Sequence, residues 1–408
     1  MKNQEQIPNN LSAVSGILLL PSTRRARDAL YLAFAVSSGV SVILFVIAAA
    51  IGMRPPYDVG GYVVGEDFVN TWMSGRAALT GNPGPWLDPH VYNAAVRHVF
   101  GAGFPEQNWS YPPHILLFTW VLGLLPYVPA CAAWNVAGLA LYFVVVMKGE
   151  RRFDRLLFFS LAPAVVSNVL VGQNGFVTAA LMIGGLKHTG KRPILAGVLF
   201  GLLTLKPQIG LLVPAMLCVT RQWRCIFAAA TTTLVLVVST SVIFGNDVWD
   251  AYIHFALPAQ NHILQEDKSQ FIAYMPTAFM NMRLIGLPLG LAWIVQALVS
   301  AAALAAVIWT FRQRRDPALS SALFITASLV ATPYMFPYDT VMLIWAITRL
   351  RERAGVNVWD DAVALAAWTL PAAAFGLGLA GIPVSALVPL ALLARIVFRL
   401  QQEENHQK

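Results

Sequence analysis

Long apolar runs separated by short polar connections dominate the chain. Runs of roughly 15 to 24 residues, the length a helix needs to cross hydrocarbon, begin near Ala29, His114, Ala130, Leu156, Phe176, Pro193, Gln208, Cys225, Pro288, Ala318, Pro337, Ala362 and Ile382. Backbone polar groups in lipid must be satisfied within their own segment, and these runs are too continuous for the alternating strands of a barrel. The pattern predicts an all-α polytopic membrane protein with about 11–13 transmembrane helices.

Charge along the connections predicts their sides. Basic residues cluster at Arg24–Arg27, Lys148–Arg155, Lys187–Arg192, Arg221–Arg224, Arg312–Arg315 and Arg349–Arg353, and such connections stay on the cytoplasmic face. The intervening connections are poor in Lys and Arg: Pro55–Pro112, the turn at Gly172-Gln173-Asn174, the turn at Lys206-Pro207, the loop Gly245–Leu287, and Pro333–Asp339. Five polar landmarks are thus predicted on one outer face. One conflict of parity arises, because Ala29, His114 and Ala130 each begin an apolar run between basic segments assigned to the same side. Either the Pro112–Pro126 run is interfacial or re-entrant, or the Lys148 loop lies outside.

The resulting organisation is a cytoplasmic segment 1–28, a single transmembrane domain 29–398 and a cytoplasmic tail 399–408. The apolar patch Ile17–Leu20 is too short for a signal h-region, so Ala29–Gly52 is expected to act as an uncleaved anchor. Two outer loops, 53–111 and 245–287, are long enough to carry structure of their own. In the first, Phe68, Trp72, Ala77 and Leu79 fall near one side of a helical projection and Asn70, Ser74 and Arg76 near the other, which predicts an amphipathic helix lying at the interface. A second short helix is expected over His90–Phe100.

Composition agrees with a membrane class: the chain of 408 residues is 57% hydrophobic and 12% charged, with mean hydropathy +0.62. The net charge of +8 follows from the topology of the basic loops, so nucleic acid is not expected as a partner. Cys131, Cys218 and Cys225 lie in or beside apolar segments without ligand spacing and read as small core residues. His254 and His262 have no third ligand nearby, so no metal and no cofactor is expected.

Several polar positions carry two readings each. In Gly65-Glu66-Asp67-Phe68, Asp67 is placed either to cap the following helix or to act as a general base toward a hydroxyl. Lys206 is either a snorkelling lysine at a helix end or a cation for a phosphate or diphosphate. Gln173 sits in a hairpin tip that Gly and Asn explain, although its amide also suits a sugar or a phosphate. Tyr338-Asp339 and Tyr111-Pro112-Pro113-His114 set an aromatic, with or without a carboxylate, at the start of a span, either as caps and headgroup anchors or as a sugar-facing lining.

Taken in order, Asp67-Phe68, Trp72, Gly75-Arg76-Ala77-Ala78-Leu79-Thr80-Gly81, Tyr111-Pro112-Pro113, Gly172-Gln173-Asn174, Leu205-Lys206-Pro207-Gln208, Pro333-Tyr334 and Tyr338-Asp339 resemble the polytopic GT-C glycosyltransferases, most closely glycosyltransferase family 87. Described members of that family include polyprenyl-phosphate-mannose-dependent alpha-mannosyltransferases. The resemblance implies a GT-C-type bundle in the cell membrane, with its active site facing outward toward the periplasm or exterior. It implies a polyprenyl-phosphate sugar as donor, a lipid or glycan hydroxyl as acceptor, and Asp67 as the catalytic base of an inverting transfer. Under that reading Lys206, Gln173, His254 and His262 would meet the donor phosphate, and Glu66, Trp72, Arg76, Tyr111, Tyr338 and Asp339 would meet the substrates. A lipid or polyprenyl-linked sugar transporter or flippase is the alternative, although such proteins more often show charges deep in helices and repeated halves.

Overall fold

The computed structural model describes residues 24–50, 57, 63–148, 153–265, 274–353 and 355–407. The patch Ile17–Leu20, the centre of the basic loop at Lys148–Arg155 and parts of both outer loops lie outside these residues. Among the described residues every extended element is a helix, and an isolated bridge between Tyr57 and Val63 is the one β feature.

Four helices are long and apolar enough to cross a membrane by length and composition: Tyr127–Val146, Trp223–Phe244, Leu289–Arg312 and Val358–Leu379. Only 11% of the most apolar stretch of Trp223–Phe244 is buried, and Phe227, Leu234 and Val242 project outward from it. An apolar helix that hides so little of its surface has lipid as its surroundings. The first expected span lies, over its described residues, within one helix, Arg24–Ala50, whereas some of the others are broken into shorter helices. The run from Leu156 divides into Phe153–Ser160 and Pro163–Val171, because Pro163 holds the preceding residue in an extended conformation. The run from Gln208 is helical only over Val213–Val219.

The helical part of the Pro112–Pro126 run, Pro113–Gly123, is only about 16 Å long at 1.5 Å per residue, half the thickness of hydrocarbon, which fits the interfacial or re-entrant reading of that run.

Two of the three hydrophobic clusters among the described residues matter most for the site. The larger holds the helical bundle together around Phe159, Phe176, Phe324 and Trp368. The smaller belongs to the first long loop and is aromatic, with Phe68, Trp72, Phe100 and Tyr127 packed edge to face or tilted at centroid separations of 5.1 to 5.9 Å, and Tyr92 edge to face on Trp109 at 5.8 Å. Its central helix, Phe68–Ala78, is not the interface-lying amphipathic helix that the sequence suggests: all of its residues except Arg76 are buried. The cause is the adjacent helix Leu116–Gly123, which covers the face expected to meet water. Ser74 Oγ donates to Thr119 Oγ1 at 3.0 Å, and Gly75 lies so close to its neighbour that an added Cβ would stand 2.2 Å from the Thr119 carbonyl oxygen and 2.8 Å from the Gly123 nitrogen. Small residues permit this backbone approach. Gly75→Ala is therefore expected to lower stability by about 1–3 kcal/mol, read as a fall in the thermal midpoint of the detergent-solubilised protein; an unchanged midpoint would mean that the two helices part freely.

Helix Pro89–Phe100, which covers the second short helix expected over His90–Phe100, has amphipathic spacing. Tyr92, Asn93, Val96 and Phe100 face inward, and Asp88 caps its start by accepting from the His90 amide at 2.8 Å.

Candidate active site

Three polar turns and one loop converge on a cleft of about 100 Å3 that opens to solvent. Asp67 stands at the head of helix Phe68–Ala78 and does not cap it: its backbone is already helical and its side chain makes no bond to the first amides. The turn that carries it is tied down from below, where Tyr127 Oη donates to the carbonyls of Val64 and Gly65 at 3.0 and 2.7 Å. Asp67 is half-buried. Burial pushes its pKa up from 3.8 to about 6, against the opposing pull of a hydrogen bond from Gln173 and the charge of Lys206, with the Asp339 charge adding to the rise.

Gln173 is more than a turn residue. Gly172 adopts a left-handed φ of +66°, which ends helix Pro163–Val171 and sets the next turn directly against Phe68. The buried Gln173 side chain then accepts through Oε1 from the Tyr111 hydroxyl at 3.1 Å and from the Asn174 amide at 3.1 Å. With its oxygen occupied on both sides, the amide keeps its NH2 for Asp67, to which Gln173 hydrogen-bonds. Burial, with Asp67 and Asp339 close by, holds the Tyr111 hydroxyl above its ordinary pKa, so it stays a donor.

Lys206 follows a short 3-10 turn, Leu203–Leu205, and is buried. Its Nζ donates to Asp339 Oδ1 at 2.5 Å and lies 4.9 Å from the centre of the Tyr338 ring. Asp339 is fully buried, and its second oxygen accepts from the Phe336 amide at 3.0 Å. The carboxylate thus caps the turn Pro337–Met342 and pairs with the lysine at once. A buried pair of this kind is tolerated only when the remaining lone pairs and protons are also engaged.

Of the residues singled out from the sequence, Glu66, Asp67, Tyr111, Gln173, Lys206 and Tyr338 line the cleft, with Asp339 directly behind Lys206. The others are elsewhere. Trp72 sits in the aromatic core, where its ring nitrogen donates to the Leu125 carbonyl at 3.0 Å. Arg76 lies over the Trp72 ring at 5.7 Å and reaches the Gly123 carbonyl. Successive helical residues turn by about 100°, so positions five and nine after Asp67 project to the far side, whereas Asn70, three after it, stays on the near side. Asn70 does line the cleft. His254 is exposed beside Asp250, with 3.3 Å between them, and His262 is exposed on helix Leu257–Gln265; it is Ile263 of that helix that reaches the cleft. Among the described residues no three His, Cys, Asp or Glu side chains are grouped to hold a metal ion.

The cleft also takes in Tyr334 of the Pro333-Tyr334 landmark and residues that pattern reading passed over, notably Gln107, Asn108, Ser110 and Phe336; of these, the first three share one segment. The segment bearing the first three has no helical or strand periodicity. It is held in place by Asn93, whose side chain accepts from the Gln107 amide at 2.8 Å and donates to its carbonyl at 3.0 Å. The one sequence signal was the polar run Glu106-Gln107-Asn108 just ahead of Trp109.

A family model for glycosyltransferase family 87 matches residues 109–333, more than half of the chain. That stretch contains Tyr111, Gln173 and Lys206 and leaves Asp67 and Asp339 beyond its two ends, where the geometry of the cleft joins them to it. No curated protein and no solved structure matches the chain. With lipid-facing helices around a carboxylate-lined cleft and a match over most of the elements that build it, the chain belongs to glycosyltransferase family 87 and is a membrane glycosyltransferase.

Proposed function

We propose that the cleft transfers a hexosyl residue, mannosyl by the family resemblance, from a polyprenyl-phosphate sugar to a hydroxyl of a lipid or glycan, on the outer face of the cell membrane. The observation that carries this reading is Asp67, a carboxylate that caps no helix, is held toward the cleft by the oriented amide of Gln173, and has its pKa raised by burial into the range useful for a base. In the proposed step Asp67 takes the acceptor proton, the acceptor oxygen attacks the anomeric carbon from the face opposite the phosphate, and the bond from that carbon to the phosphate oxygen breaks. The polyprenyl phosphate leaves with the electron pair. An ammonium has three donors, and Lys206 gives one to Asp339; the other two are proposed to meet the phosphate oxygens as their charge grows. Glu66, Tyr111 and Tyr338 would meet sugar hydroxyls and faces. A lipid-linked donor also fits a cleft built mostly from helix ends and their connections, among lipid-facing helices.

Purified protein incubated with polyprenyl-phosphate sugars, and separately with the matching nucleotide sugars, tests the donor. Transfer or sugar release is expected only from the lipid-linked set, and turnover of nucleotide sugars alone would overturn the assignment. The acid limb of the pH profile tests the base. Because only the carboxylate form of Asp67 accepts a proton and its pKa is about 6, log kcat/KM is expected to rise with unit slope to about pH 6 and then level off. A limb near the ordinary carboxylate value, or none, would remove Asp67 from that role.

A further inference from the structure

A second cleft, of about 730 Å3 and open to solvent, lies at the opposite ends of the same helices. Helix Trp223–Phe244 reaches the first loop's core at Phe244 and begins at Trp223, about 33 Å away by its length. Helix Leu289–Arg312 runs back to the same end. There the cleft is lined by Arg221, Arg312 and Arg314, with Thr220, Gln222 and Phe311 between them, and no carboxylate is among its lining residues.

These arginines differ from their neighbours on the same side. Arg351, Arg353 and Arg395 are each engaged with carboxylates, of Asp361, Asp316 and Asp360 respectively. Asp316, the acidic residue nearest in sequence to Arg314, is thus already committed to Arg353. Arg221, Arg312 and Arg314 make no ion pair among the described residues.

The backbone points the same way. Among the described residues, Arg221 and Arg314 are the non-glycine positions of positive φ, at +54° and +48°. Each follows a helix in the left-handed position where glycine is the usual choice. The amide of Gln222 returns to the Leu217 carbonyl at 2.9 Å, and that of Arg315 to the Thr310 carbonyl at 3.5 Å. Two arginines thus occupy a conformation that favours glycine, and both aim into one cleft.

An adjoining recess shares Thr220, Gln222, Phe311 and Arg314 with this cleft. Thr310 lines that recess, is fully buried, and leaves its hydroxyl without a hydrogen-bond partner. Buried hydroxyls are normally satisfied. Trp223, 55% exposed at the start of its span, supplies the aromatic that marks headgroup depth.

We propose that Arg221, Arg312 and Arg314 form a binding site for the phosphate of an anionic phospholipid, on the face opposite the carboxylate cleft. Phosphate offers the bidentate acceptor that guanidinium groups match, and basic pockets between transmembrane helices have this chemistry. The flanking apolar surface of Trp223 and Phe227, 55% and 69% exposed, favours a lipid over a free anion, since acyl chains would cover it. The site does not depend on the assignment of donor or base.

The test is native mass spectrometry of the full chain released from detergent with phosphatidylglycerol, with phosphatidylcholine, or with millimolar inorganic phosphate. Phosphatidylglycerol adducts are expected to survive, and phosphatidylcholine adducts are not. R221G/R314G removes two charges while giving the backbone the residue its φ prefers, so folding is spared and retention is expected to fall about tenfold or more. R312Q, at an ordinary helical position, provides a second variant with a smaller loss in the same direction. Equal retention in the variants, or equal retention of the zwitterionic lipid, overturns the site. Displacement of the lipid by inorganic phosphate overturns the lipid as its source.

Discussion

Asp67→Asn is expected to lower sugar transfer by about 10²- to 10⁴-fold, the range a positioned general base supplies, and to make the protein more stable rather than less. The second half follows from the site. Folding raises the pKa of Asp67 from 3.8 to about 6, so between those values the folded state holds the proton more tightly than the unfolded chain. Stability from this group therefore falls as pH rises through the window, and its full cost stands above about pH 6. A rise of that size corresponds to at most about 3 kcal/mol, and water reaching a half-buried carboxylate reduces this to roughly 1–2 kcal/mol. Asparagine is uncharged, so the variant escapes the cost at pH 7.5, and the advantage should shrink as pH is lowered toward 4. Thermal unfolding at the two pH values, run beside a transfer assay, checks both halves. Full activity would exclude Asp67 as the base, and a loss of activity accompanied by a lower midpoint would make it a structural residue.

That outcome would also decide between the two readings the sequence allows for this position. Helix capping is the ordinary explanation of an Asp ahead of Phe-Val-Asn-Thr, and a sequence cannot say whether the side chain turns back to the amides. In the fold it does not. Asp339 shows the opposite outcome, because there the carboxylate both caps and pairs. The landmarks at Tyr111, Gln173, Lys206 and Tyr338 are legible because each interrupts an apolar run at a connection, and charge bias places those connections on one side. Trp72 and Arg76 fall outside the cleft because closeness in sequence to Asp67 is not closeness in space: helical rotation carries them to the far side. The helical class is plain from the runs. Their continuity is not, since Pro163 and the turn from Leu203 to Gly210 break helices inside stretches of uniform hydropathy.

The Lys206–Asp339 pair yields the other large effect. Lys206→Met alone should destabilise the protein by about 3–5 kcal/mol, because it strands a fully buried carboxylate beside Tyr338. Loss of activity in that variant is therefore ambiguous, since a disturbed turn at Pro337–Met342 would be sufficient to cause it. Adding Asp339→Asn removes the stranded charge and still offers an oxygen to the Phe336 amide, so the double variant should recover most of the lost stability. If Lys206 meets the leaving phosphate as proposed, turnover stays low in the double variant, by about 10²-fold or more, because the ammonium that balances the developing charge is absent. If Lys206 serves only to neutralise Asp339, activity returns with stability. The thermal midpoint and the transfer rate of the double variant, measured on one preparation, separate a lysine that holds the turn from a lysine that acts on the donor.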